Sequence, residues 1–459
     1  MAIITKAPRG TQDLLPSNGF REQFIEKNLT DISSYYGYKI ISTPVFEHTE
    51  LFDRGVGETT DVVQKEMYTF EDNGRRSITL KPEGTAGAAR MFIEHGLFNE
   101  PMPQKYSYVT PCYRYEKPQA GRLREFHQFG VECYGSSSPQ TDAEVISLAR
   151  AIFDFFGIDG LKLKINSIGC PKCRARYQKA LRDYFTPFKD ELCDTCKTRL
   201  EKNPMRLLDC KDPDDKKRAS GAPKILDYLC DECREHFESV KKYLDCLDIQ
   251  YEVDPSIVRG LDYYTRTVFE FVSDSLGAQG TVLGGGRYDG LISQLGGPET
   301  PAIGFAMGLE RFNLLLDAQG VNLLECPVPD IYIGSVGEDA KIAAMRHAEE
   351  LREDGFSTEI DLVGRSIKAQ MKYANKIGAL FTCIIGSDEI KSGAVSVKKM
   401  KTGETFSLEL KNFAESFERL RINDMCENIS FPDGTDATDL NSLMGKVSGA
   451  EDNKEQPFV

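Results

Sequence analysis

The alternation of apolar and polar positions along this chain changes period several times, and each change marks an element. Over residues 20–36 apolar side chains recur three and four apart (Phe20, Phe24, Ile25, Leu29, Ile32), which predicts an amphipathic helix. Residues 38–42 read as a strand. A second strand over 75–80 ends at Leu80 and runs into Lys81-Pro82-Glu83-Gly84-Thr85, turn chemistry with Thr85 placed to cap a helix that begins Ala86-Gly87-Ala88-Ala89. Residues 106–115 and 125–134 are strand-like runs flanking a polar, basic loop with Lys117, Arg122 and Arg124. The simplest arrangement is an antiparallel hairpin with a long loop at its tip, and loops of that length tend to be functional. Residues 141–157 are again helical in period.

From 170 to 250 the chain is charged, cysteine-rich and mostly helical in pattern, and from 251 to 316 it returns to strands and glycines. Cys326-Pro327-Val328-Pro329 reads as a linker. Beyond it come a strand (331–336), a helix (338–354), a strand (357–362), a helix (366–377) and a strand (380–385), an alternation that predicts a small, largely parallel α/β domain. From about 424 the sequence is Asp/Asn/Gly/Ser-rich without periodicity, and a flexible tail is expected over 424–459. The expected organisation is an α+β, antiparallel-sheet domain over 1–325 with a helical insertion at about 170–250, then an α/β domain over 326–423.

Composition narrows the function. With 459 residues, 40% apolar and 28% charged, the chain can bury two or three cores. It has no apolar run of about 18 residues to span a membrane, and the start lacks an apolar signal core. A cytoplasmic location is expected. The net charge of −14 argues against indiscriminate nucleic-acid binding, which needs a basic footprint.

Four separated segments carry an arginine beside strand-like or glycine-rich sequence. They are Tyr113-Arg114-Tyr115-Glu116 running on to Phe126-His127-Gln128-Phe129-Gly130, Arg259-Gly260-Leu261-Asp262-Tyr263-Tyr264, Gly284-Gly285-Gly286-Arg287-Tyr288-Asp289-Gly290, and Gly304-Phe305-Ala306-Met307-Gly308-Leu309-Glu310-Arg311. Guanidinium groups stay charged and present a planar fork of donors, so several converging on one site point to a polyphosphate or carboxylate ligand. Taken singly, each segment is more often a turn or a surface ion pair.

Together, in this order, the segments resemble the signature blocks of class II aminoacyl-tRNA synthetases, and among them the histidyl-tRNA synthetases. Arg9-Gly10-Thr11-Gln12-Asp13-Leu14-Leu15-Pro16 is similar to that family's N-terminal block. Residues 37–47 resemble motif 1, 113–132 motif 2 and 302–311 motif 3, while 259–265 and 284–290 resemble the two histidine-specific blocks. The resemblance spans roughly residues 3 to 420. It implies an ATP-dependent histidine–tRNA ligase, with Mg2+ on the phosphates, histidine, ATP and tRNA as substrates, and a homodimer built through motif 1.

It also implies roles. Arg114 contacts the α-phosphate, Arg311 the γ-phosphate, and Arg259 the transition state beside the substrate carboxylate. Glu116 helps hold ATP. Glu83, Thr85 and Gln128 receive the ammonium of histidine, Glu132 and Tyr264 the imidazole, and Tyr263 is a further candidate for the histidine site. Gln119, with Arg122 in the same loop, faces the tRNA acceptor end. Lys81 and Lys117 stand where many relatives carry arginine, keeping the charge and losing the fork. His127 is read as structural, and Asp262 as a partner for Arg259 or Arg287. An alternative from the same fold is a histidine-binding regulator without ligase activity, like the regulatory subunit of ATP phosphoribosyltransferase. Retention of Arg114, Arg259, Arg311 and the C-terminal domain favours the enzyme.

Thirteen cysteines, six of them in three CxxC pairs, read as metal ligands or free thiols rather than disulfides. Cys170/Cys173, Cys193/Cys196 and Cys230/Cys233 compete for one four-thiolate zinc site. Cys193, Cys196, Cys230 and Cys233 form the preferred set, both pairs lying near predicted helix starts. The insertion that carries them is expected near the tRNA acceptor stem. In the C-terminal domain Arg365, Lys368, Lys372 and Lys376 fall at helical spacing, with Lys391, Lys398, Lys399 and Lys401 following. The family resemblance turns this basic face toward the anticodon, whose bases are read singly when splayed.

Overall fold

The computed structural model describes residues 6–57, 60, 62–210, 212–258, 262–321, 323 and 326–427. The chain divides into two units, 1–324 and 325–459.

In the first unit the strands in chain order are β1 (Lys39–Ile40), β2 (Phe46–His48), β3 (Tyr68–Glu71), β4 (Ser77–Leu80), β5 (Gln104–Tyr113), β6 (Glu125–Tyr134), β7 (Lys162–Ser167), β8 (Glu252–Val253), β9 (Thr265–Val272), β10 (Thr281–Arg287) and β11 (Ala302–Gly308). Eight of them make one sheet in the order β1-β5-β6-β11-β10-β9-β7-β8, antiparallel from β5 through β7 and parallel at the two short edges. The predicted hairpin is β5–β6, paired over its whole length from Gln104↔Tyr134 to Tyr113↔Glu125. The β2-β4-β3 sheet was not legible in the sequence pattern beyond β4.

Period-two alternation gives the large sheet two unlike faces. Phe129, Val131 and Cys133 of β6, Ile303, Phe305 and Met307 of β11, and Phe269 and Phe271 of β9 turn to one side. There they pack with Ile25, Leu29, Val145, Ile152, Phe312 and Leu316 from three covering helices into one buried core. The intervening positions are Gln128, Gly130 and Glu132 on β6, facing Gly308, Ala306 and Gly304 on β11, and then Gly286 and Gly284 on β10. That face is therefore a trench of small residues with two polar side chains standing in it.

The trench is kept open by need rather than by chance. A Cβ at Gly130 would lie 2.3 Å from the Tyr108 ring, and one at Gly304 would lie 2.2 Å from the Val131 carbonyl oxygen and 2.3 Å from Glu132 Oε2. Neither residue can be enlarged without displacing Tyr108 or Glu132.

Helix ends differ in detail from expectation. The helix after β4 spans Thr85–Glu94, and it is Glu83 rather than Thr85 that caps it. The two Glu83 oxygens accept the N–H groups of Thr85 and Ala86, both at 2.8 Å. A carboxylate at a helix N-terminus gains from the dipole as well as the hydrogen bonds.

The second unit has a five-stranded sheet, with Ile331–Ser335 between Thr358–Ile360 and Phe381–Ile385 in parallel, extended by the antiparallel strands Ala394–Lys399 and Thr405–Glu409. The sheet is thus mixed: the hairpin beyond Ile385 adds an antiparallel pair that the βαβ pattern does not announce. The last helix, Phe413–Glu427, carries Phe413 and Phe417 into the core and runs through 424–427, the first residues of the expected tail. Residues 428–459 lie outside the described residues.

Candidate active site

At one end of the trench, where β6 and β11 meet the hairpin loop, a cleft of about 240 Å³ is lined by Arg114, Glu116, Arg122, Gln128 and Arg311 among others. Three guanidinium groups share this small space. Arg114 is turned by a 2.8 Å bond from its Nε to the carbonyl of Pro82 and lies over the Phe126 ring at 5.3 Å. Arg311, in the first turn of the helix after β11, donates from Nη1 to the Thr281 carbonyl at 2.7 Å. Arg122 reaches Glu116 Oε2 at 3.1 Å.

Burial, then repulsion from Arg122, lower the Arg311 pKa from its ordinary value. Guanidinium does not deprotonate in proteins, so this cost is relieved by an anion entering the cleft.

The hairpin loop closes over the cleft. Gln119 and Arg122 exchange backbone hydrogen bonds of 3.1 and 2.9 Å at its tip, leaving the Gln119 side chain exposed. The N-terminal block clamps its base: the Arg124 N–H donates to the Gly10 carbonyl at 2.7 Å, and the Arg124 guanidinium stacks on Tyr115 at 3.8 Å.

Further along the trench is a buried polar pocket. Glu132, 1% exposed, accepts a 2.8 Å hydrogen bond from Tyr108 on Oε1 and another from Tyr288 on Oε2. Burial pushes its pKa up to about 8, and the neighbouring Glu83 adds to this. Tyr263 and Tyr264 pack against each other at 4.7 Å, and Tyr263 packs on Tyr288 at 5.5 Å. Gln128 Oε1 accepts the Gly84 N–H at 2.9 Å. Both Glu83 oxygens are engaged with the helix, and a carboxylate keeps further lone pairs for a second donor. Burial raises the Glu83 pKa too. So Glu83, Thr85, Gln128, Glu132, Tyr263 and Tyr264 stand around one pocket, beside the cleft that holds Arg114, Glu116 and Arg311. Tyr108 and Tyr288 were missed in the sequence; their signal is register, Tyr108 opposite Gly130 and Tyr288 immediately after the end of β10.

Some expectations are corrected. Arg287 does not join the cleft: it is fully buried and bonded to Asp142 (2.6 Å), Asp289 (3.1 Å) and the carbonyls of Ser136 and Ser138. Asp142 also takes His236 at 2.8 Å, so the arginine anchors the sheet to the helices behind it. Asp262 pairs with Arg206 at 3.3 Å and Asn203 at 3.1 Å, not with Arg287. Arg259 lies outside the described residues, as do Gly260 and Leu261. Lys81 is buried, its Nζ donating to the Thr43 carbonyl at 3.1 Å. His127 donates its backbone N–H to Glu310 Oε1 at 2.8 Å.

The preferred zinc set is also wrong in its pairing. Cys230 and Cys233 meet Cys170 and Cys173, while Cys193 and Cys196 meet Cys210 and Asp215. Proximity to helix starts did not discriminate, because Cys170 caps a helix as well. In the second unit Lys368, Lys372 and Lys376 are exposed along the helix Ile367–Lys376. Arg365 is held by Asp361 at 2.7 Å and Lys399 by Asp424 at 2.5 Å, which removes two charges from the expected basic face.

An antiparallel sheet with a clamped hairpin loop, an arginine at the strand end and a second arginine on the helix that follows the last inner strand defines a class II aminoacyl-tRNA synthetase. Residues 10–172 and 208–312 match the family described as Histidyl-tRNA synthetase, and 330–420 match the Anticodon binding domain. The chain belongs to the histidyl-tRNA synthetase family. It is 56% identical over 402 residues to the histidine–tRNA ligase of Caldanaerobacter subterraneus, covering 88% of this chain and 96% of that one. It is 56% identical over 411 residues to that of Clostridium perfringens, covering 89% and 98%. The apo histidyl-tRNA synthetase of S. aureus superposes with a TM-score of 0.78 at 41% identity, over 90% of this chain and all of that one.

Proposed function

We infer that this chain is a histidine–tRNA ligase. A histidine carboxylate oxygen attacks the α-phosphorus of ATP, the bond to the bridging oxygen breaks, and pyrophosphate leaves; the tRNA 3′-terminal hydroxyl then attacks the adenylate carbonyl and AMP leaves. The observation that carries this reading is the adjacency of an arginine-lined cleft and a buried glutamate–tyrosine pocket along one glycine trench. Joining two anions requires positioning and fixed positive charge more than covalent help. In this reading Arg114 holds the α-phosphate, Arg311 the γ-phosphate, and Arg259 the substrate carboxylate in the transition state.

Glu116 steadies ATP. Mg2+ on the phosphates supplies further charge neutralisation, and the oxygen donors Glu66, Glu116 and Glu310 at the cleft suit a hard cation. Glu83, Thr85 and Gln128 receive the ammonium group. Glu132, with Tyr263 and Tyr264, reads the imidazole, and a site built to hydrogen-bond a polar side chain rejects apolar competitors strongly. Gln119 and Arg122 meet the acceptor end of tRNA, and the exposed lysines of the second unit meet its anticodon. Homodimer formation is supported by apolar side chains left at the surface around motif 1, among them Tyr35 (84% exposed), Ile40 (69%) and Phe46 (53%). Residence in the cytoplasm is part of the same reading.

The regulatory alternative is disfavoured by the anticodon-binding match and by the ligases at 53–56% identity. Charging of tRNA with labelled histidine tests the proposal. We expect ATP-dependent histidyl-tRNA from a histidine tRNA transcript; adenylate without charging, or neither, contradicts it.

A further inference from the structure

The insertion carries two clusters of soft ligands that the aminoacylation site does not use. In the first, the Sγ atoms of Cys170, Cys173, Cys230 and Cys233 all lie within 4.8 Å of one another, with Cys170 and Cys173 3.6 Å apart. Zinc–sulfur bonds of about 2.3 Å in a tetrahedron place sulfurs about 3.8 Å apart, whereas a disulfide needs about 2.05 Å. Cys170 caps the helix Pro171–Phe185 and Cys230 caps Asp231–Cys246, so both pairs sit where helix dipoles favour negative charge. The Cys230 N–H donates to the Cys173 sulfur at 3.1 Å across 57 residues of sequence.

In the second cluster Cys193, Cys196, Cys210 and Asp215 are equally close. Cys193 and Cys210 are 3.9 Å apart, and Asp215 Oδ2 lies 3.6 Å from the Cys210 sulfur. Asp215 is only 2% exposed, with Arg218 on its other oxygen at 3.3 Å. The Cys193 N–H also donates to Asp215 Oδ2 at 3.1 Å, and three thiolates gathered around that oxygen would require a cation among them.

Both clusters grip one strand lead-in. Arg174, next to Cys173, donates to the carbonyls of Tyr264 at 3.0 Å and Asp262 at 3.4 Å. Asn203 and Arg206, between Cys196 and Cys210, hold the Asp262 carboxylate. Asp262 to Tyr264 is the segment whose tyrosines pack on Tyr288, the partner of Glu132.

We propose that the insertion binds two structural zinc ions, one on Cys170, Cys173, Cys230 and Cys233 and one on Cys193, Cys196, Cys210 and Asp215, and that together they hold Asp262 to Tyr264 against the amino-acid pocket. The metal sites stand on their own; the effect on histidine rests on the function proposed above, and the two are read out separately.

The test is elemental analysis of the full chain purified reduced, without chelator or polyhistidine tag, with zinc X-ray absorption on the same sample. Two zinc ions per chain are expected, with between three and four sulfur neighbours on average. Cys173→Ser/Cys233→Ser should lose one ion and Cys196→Ser/Cys210→Ser the other, each raising KM for histidine about tenfold with little change in KM for ATP. Absorption on the unmodified chain keeps the test valid if a variant does not fold. No bound metal, a single ion, or zinc that survives both double substitutions overturns the two sites. Two ions whose loss leaves the histidine KM unchanged overturns the bracing role alone.

Discussion

Arg311→Ala lowers the rate of adenylate formation by about 10²- to 10³-fold while leaving the melting temperature close to that of the parent chain. Removing one fixed donor aimed at developing charge costs about 3–4 kcal/mol in other enzymes, and phosphoryl chemistry depends on such charges more than on any base. Stability is spared because burial and Arg122 already disfavour the Arg311 charge in the cleft. Its bond to the Thr281 carbonyl is at the cleft wall, where water can replace it. Arg311→Lys keeps the charge without the planar fork and should recover only part of the loss. Pyrophosphate exchange and thermal melting on the two variants check this; an exchange rate within threefold of the parent removes Arg311 from the phosphate site.

Glu132→Gln is expected to act in opposite directions on binding and stability. It should lower kcat/KM for histidine about 10²-fold, since a bound imidazole donating to Glu132 draws that carboxyl toward the ionised form, which glutamine cannot adopt. Stability behaves otherwise because the native pKa, about 8, lies above the ordinary 4.5. Between those values the folded chain binds more protons than the unfolded one, so ionising Glu132 weakens the fold as pH rises, by up to about 1.4 kcal/mol per pH unit. Glutamine resembles the protonated acid and does not titrate. The variant should match the parent below about pH 5 and exceed it in melting temperature at pH 8. Equal pH–melting curves for the two proteins would falsify the buried, neutral carboxyl.

What the sequence revealed, and what it hid, follows from the range of the physics involved. The β5–β6 hairpin was legible because alternation and a basic loop are local signals, and the βαβ pattern of the second unit was legible for the same reason. Arg114, Glu116 and Arg311 were found as motif members, and the structure brings them to one cleft. Arg287 reads identically in sequence, an arginine after glycines, yet is wholly buried against Asp142, 145 residues distant. Burial partners at such separations leave no local mark. The same applies to the cysteines: CxxC spacing identifies each pair, but which pairs meet depends on how the helices of the insertion pack. Tyr108 and Tyr288 escaped notice because strand register, not composition, places them on Glu132.

The central claim is that one trench both activates a carboxylate and selects histidine. Amino-acid-dependent exchange of labelled pyrophosphate into ATP, run with Mg2+ on each of the twenty amino acids, tests it most directly. Exchange with histidine alone, at least about 10³-fold above any other amino acid, is the expected result. Exchange with a different amino acid, or none from folded protein, contradicts it.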